Sequence, residues 1–146
     1  MAYDYFSAQL TNADAVPRVI NPPIDEGRVF ARFFKYTVPA GGIASGTTVE
    51  LQRMKKGDRP LKGFLTTTAL SSAGGDASIQ LGDGTTAAAY KATTSVDAIA
   101  SMDFMNTPAL GSGVELTADT SLVATVTTEA WVAAGIVTGY VLYLRP

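Results

Sequence analysis

Between residues 29 and 38 polar and apolar groups alternate with a period of two. Val29, Ala31, Phe33, Lys35 and Thr37 share one face of VFARFFKYTV, and Phe30, Arg32, Phe34, Tyr36 and Val38 share the other. Bulky groups on both faces predict a strand buried on one side and contacted on the other. Similar runs predict strands over TTVELQRM (47–54), LKGFLTTTAL (61–70), ASIQLGDG (77–84), VELT (114–117) and SLVATVTTE (121–129), and from Ala134 to Arg145. AAAYKATT (87–94) fits a short strand or one helical turn, and the two Thr that follow favour strand. VDAIASMDFM (96–105) fits a strand or a short helix. PAGGIASG, KKGDRP, SSAGGD and NTPALGSG separate these runs with turn-forming residues. Eight or nine short strands without a long helix predict an all-β fold, an antiparallel β-sandwich or jelly-roll-like domain.

Residues 1–27 read differently, and predict an extended N-terminal arm ahead of a sandwich domain over 28–146. Three of the seven prolines, Pro17, Pro22 and Pro23, fall there, and Pro22-Pro23 blocks helix and removes two backbone donors. Tyr3, Tyr5, Phe6, Leu10, Val16, Val19, Ile20 and Ile24 make the segment more apolar than a solvated tail. It reads as an ordered arm that docks on its own domain or on a neighbour. MAYDYFSAQL lacks the basic and apolar regions of a secretory signal. No window approaches the roughly 18 apolar residues that cross a bilayer, so no membrane association is expected.

Composition narrows the chemistry. The 146 residues include no Cys and no His, which excludes disulfides, thiol nucleophiles, His-based triads and zinc sites of the usual nitrogen and sulfur type. Lys+Arg 11 against Asp+Glu 13 gives a net charge of −2, whereas a phosphate-neutralising nucleic-acid binder carries a basic excess. The charged fraction is 16%, below the roughly 25% usual in soluble domains. A surface poor in charge suits a protein packed against others.

No motif points to catalysis, a cofactor or a metal. Gly82-Asp83-Gly84 lacks the acidic spacing of a calcium loop and reads as a type I′ turn. The carboxylates lie scattered over turns and strands, with no pair two apart on one strand face to aim into a cleft. GGIASGTT lacks the Gly-Lys-Ser/Thr ending of a phosphate loop. Trp131 suits either a core position or an interface anchor. The basic cluster of Arg53, Lys55, Lys56, Arg59 and Lys62 reads either as a solvated hairpin turn or as a contact with an acidic partner. No aromatic interleaves it, as a single-strand binder would require.

The order MKKGDRPLKGFL, LGDGT, LTADTSLVATVTT and GIVTGYVLYL resembles the small structural proteins of tailed-bacteriophage heads, above all the capsid decoration (cement) proteins. The resemblance covers about residues 28–145. It implies a β-sandwich that forms a homo-oligomer, with a trimer favoured and a dimer possible, on the outer surface of the virion. The implied partner is the major capsid protein, and an arm would staple neighbouring capsomers. No catalytic residue carries over. Tyr3, Tyr5, Phe6 and Leu10 on the arm, with Arg53, Lys55, Lys56 and Arg59 at the basic turn, are the expected contacts. Two other classes compete: a tail-tube, head-completion or head-fibre component, and a carbohydrate-binding sandwich, which calls for exposed aromatics on one face.

Overall fold

The computed structural model describes residues 28–72, 75–105 and 113–145. The arm and its proposed anchors Tyr3, Tyr5, Phe6 and Leu10 therefore lie outside the described residues. Eight strands follow in order: β1 (Arg28–Thr37), β2 (Thr48–Met54), β3 (Arg59–Thr67), β4 (Ser78–Gly82), β5 (Lys91–Ser95), β6 (Ala100–Phe104), β7 (Thr120–Thr127) and β8 (Ile136–Arg145). They form two four-stranded sheets, β1-β8-β3-β6 and β2-β7-β4-β5.

The pairing explains that order. β1 pairs with β8, β2 with β7, β3 with β6 and β4 with β5, all antiparallel. The chain is thus one long hairpin whose midpoint lies between β4 and β5. Rolling it up brings β3 against β8 and β4 against β7. This is the strand order of a jelly roll, and the all-β sandwich expected from the alternation is present.

Both ambiguous runs are strands, over fewer residues than the pattern suggested. Residues 87–90 turn, with Ala89 donating to the Thr86 carbonyl at 3.2 Å, and β5 starts only at Lys91. The expected strand at 114–117 is absent. Leu116 instead donates to the Asp58 carbonyl at 2.9 Å and accepts from the Gly57 N–H at 2.8 Å, which ties it to the β2–β3 turn rather than to a ladder.

Between the sheets, alternation decides what is buried. Along β7, Leu122, Ala124 and Val126 are buried while their neighbours are half-buried. On β1 the core face is the one carrying Phe34, continued by Val38 just past the strand's end, with Tyr36 partly buried against it. Val137 and Val141 of β8 and Leu65 of β3 meet Val49, Ile79 and Leu81 of the second sheet in the same cluster. Burial of this apolar set is the main force holding the two sheets together.

Two details fix the packing. Trp131 is only 1% exposed, so of the two roles its sequence allowed it fills the core. Its indole Nε1 donates to the Ser78 carbonyl at 3.3 Å, and its backbone exchanges two hydrogen bonds with Ile43. At Gly63 on β3, a Cβ would overlap the buried ring of Phe104 from β6. The missing side chain is what lets that ring lie across the sheet.

Candidate interaction surface

The β2–β3 turn carries the basic cluster, and the fold answers most of its charge internally. Gly57 takes φ 88° at the turn, a conformation open to glycine at no steric cost. Arg53 pairs with Glu50 at 2.8 Å, Lys55 with Asp119 at 3.0 Å, Arg59 with Glu115 at 2.8 Å and Lys62 with Asp103 at 3.2 Å. Lys56 contributes its backbone N–H to Asp119 at 2.9 Å. Of these five cations, only the Lys56 ammonium lacks an ion pair among the described residues. The turn is a network of exposed pairs, each worth about 0–1 kcal/mol, rather than a bare basic patch.

Two of its carboxylates are held down by this network. The Lys56 N–H and then Lys55 hold Asp119 below its ordinary pKa of 3.8, and Arg53 and then Ser121 hold Glu50 below 4.5. Because both are lower in the fold than in the unfolded chain, the stability they add is present at neutral pH. It is lost as pH falls through the folded values. Melting temperature is therefore expected to decline as pH drops below about 4, and Asp119→Asn to flatten part of that decline. Thermal melts across pH 7 to 3 test this; a variant profile parallel to the wild type would refute it.

Under the turn lies a buried clamp. The Asp58 side chain is 2% exposed. It accepts from the Lys55 N–H at 3.0 Å and from Arg145 Nε and Nη2 at 2.8 and 3.1 Å. Arg32 Nη1 stands 3.5 Å from the same carboxylate and donates to the Arg53 carbonyl at 2.7 Å. Both guanidinium groups also lie against the Tyr143 ring, at 4.6 and 5.4 Å from its centre. One carboxylate thus ties the turn to β1 and to the last residue of β8.

The outer faces of the two sheets differ in kind. On the β1-β8-β3-β6 sheet, the register sets Val29 opposite Leu144, Ala31 opposite Leu142, and Phe33 and Phe64 on either side of Tyr140. Phe33 is 75% exposed and Val29 61%. The Phe33 and Phe64 rings sit 5.8 and 5.9 Å from the Tyr140 ring, and the three line a shallow groove with Thr66 and Thr138. On the other sheet the corresponding surface presents Gln80, Thr93 and Thr125, and the first two hydrogen-bond to each other at 2.7 Å. A contiguous apolar sheet face of this kind is the sort of surface that takes part in contacts. Phe33 and its face were legible in the alternation of β1. Phe64, Tyr140, Leu142 and Leu144 were not singled out, although the apolar groups at both parities in IVTGYVLYL carried the signal.

The Gly82-Asp83-Gly84 segment is a turn of another type than expected. Only Gly84 has a positive φ, 87°, whereas a type I′ turn needs two in succession. The Asp83 carboxylate makes the turn itself by accepting from the Thr85 and Thr86 N–H groups at 2.8 and 2.6 Å, a local bond typical of Asp.

No family model and no curated protein matches the chain. Among solved structures, it is similar to a chain in the capsid asymmetric unit of cyanophage Pam1. The identity is 21% and the TM-score 0.69, over 82% of this chain and 86% of that one. It is also similar to a chain in the capsid of Ralstonia phage GP4, at 16% identity and a TM-score of 0.70, over 82% and 85% of the two chains. At these identities the likeness is one of fold.

Proposed function

We propose that this chain is a structural protein of a tailed-phage virion that binds the outside of the capsid and cements the shell by bridging capsomers. The observation that carries the reading is the jelly roll itself, shared over 82% of the chain with chains found in two phage capsids. The site chemistry supports it. The groups at the described surface are apolar faces and paired charges, which suit protein contact rather than turnover. The partner is the major capsid protein, met by Tyr3, Tyr5, Phe6 and Leu10 of the arm. Arg53, Lys55 and Arg59 assist where a capsid carboxylate can exchange with their present partners, and Lys56 adds an ammonium with no ion pair among the described residues. A homo-oligomer, most simply a trimer, multiplies weak arm contacts by effective concentration, and binding only the assembled lattice stabilises the shell by mass action.

The carbohydrate-binding reading has the aromatic face it requires, but less of the polar chemistry. The groove's threonine hydroxyls already have partners: Thr138 Oγ1 donates to the Thr66 carbonyl, and Thr66 Oγ1 lies against Ser101 Oγ, both at 3.5 Å. Among the described residues no carboxylate or amide side chain lines the groove to orient a sugar.

Mixing the purified protein with expanded, undecorated capsids tests the cement role directly. Ordered extra density on the outer shell, and a raised capsid melting temperature, are expected in cryo-electron micrographs and calorimetry. Capsids that gain neither density nor stability would overturn the proposal.

A further inference from the structure

We propose that the apolar face formed by Val29, Phe33, Phe64, Tyr140, Leu142 and Leu144 is the seat of residues 19–24 of the same chain. The size of the face argues for a single segment. It runs about five residues along β1 and β8 and reaches β3 only at Phe64, since Lys62 and Arg59 stand opposite Leu142 and Leu144, and so covers on the order of 200 Å². A stable dimer needs about 800 Å² from each partner, so a second copy would find too little here. One extended stretch of six residues fits.

The sequence and the attachment point argue for which segment. Residues 1–27 lead into Arg28, the first residue of β1, and Val29 beside it already belongs to the face. Ile24 and Ile20 stand four and eight residues before Arg28, a reach of about 13 and 26 Å. Phe33 lies five residues along β1, about 17 Å from the same point. Val19, Ile20 and Ile24 therefore span the face once the chain reverses, and Gly27 stands where the reversal is needed. Tethering this short stretch to the rim gives it an effective concentration that no free partner matches. The distal residues Tyr3, Tyr5, Phe6 and Leu10 stay available to the capsid, so this inference stands apart from the cement role and fails separately from it.

Trypsin provides the test on the full chain without any capsid. Arg18 is the only Lys or Arg among residues 1–27, and a protease must draw several residues on each side into its cleft. If residues 19–24 are seated, cleavage after Arg18 tracks their release from the face. The expected result is cleavage at least about tenfold faster in both Ile20→Asp and Phe33→Glu than in the wild type, independent of protein concentration. Thr125→Glu, on the outer face of the other sheet, should leave the rate unchanged. Ile20→Asp lies outside the sandwich, so it reports even if Phe33→Glu disturbs the fold. Equal rates in the wild type and Ile20→Asp overturn the inference. So does protection that grows with protein concentration, which would assign the face to a second copy.

Discussion

Trp131→Ala is expected to lower the unfolding free energy by about 4 kcal/mol, close to the top of the range for emptying a large core site. The indole is the largest of the fully buried side chains, and it sits where the loop before β2 is bridged to the loop after β7 through Ile43. Alanine leaves a cavity between the sheets and strands the Ser78 carbonyl, which accepts from the indole. Domains of this size are stable by only about 5–15 kcal/mol, so the variant should unfold at a much lower urea concentration. Trp131→Phe keeps most of the volume but not the donor, and should lose about half as much. Equilibrium urea unfolding with an unchanged slope is the measurement. A midpoint within error of the wild type would mean that Trp131 does not seal the core.

Asp58→Asn should be nearly as damaging, for an electrostatic reason. The carboxylate is the shared counter-charge of Arg32 and Arg145, whose side chains are 24% and 44% exposed. Removing one partner from a buried pair costs about 3–5 kcal/mol because the other charge stays behind uncompensated. Solvent reaches both arginines and screens them, so about 2 kcal/mol is the expected loss. Adding Arg145→Met to Asp58→Asn should restore part of it, since one stranded charge goes. If the double variant falls by the sum of the two single losses, the clamp is not an energetic unit. A loss that persists at about 0.5 M salt would separate this buried pair from the exposed pairs above it.

The strands were legible because a two-residue period is a local property. Phe34 on β1 and Val38 just beyond it fall on the buried face, as do Leu122, Ala124 and Val126 on β7, with nothing more than alternation to place them. The failures came where a partner distant in sequence decides the outcome. VELT has the composition of a strand, yet Leu116 is claimed by Gly57 and Asp58, about sixty residues earlier. The basic turn looked like one patch because its counter-ions, Asp103, Glu115 and Asp119, sit far along the chain. Asp58 read as a turn residue for the same cause, since Arg145 reaches it from the other end.

The rolled hairpin also has a consequence in time. Its innermost pair, β4 with β5, closes over residues 83–90, whereas β1 and β8 are joined along their whole length across about a hundred residues of chain. Such a topology has a high contact order and folds on the slow side, in milliseconds to seconds. On a ribosome the delay is longer still. Of the described strands β1 emerges first, with Phe30, Phe33 and Phe34, and β8, its ladder partner among them, emerges last. Until β8 has emerged, the most aromatic of the described strands waits without its ladder.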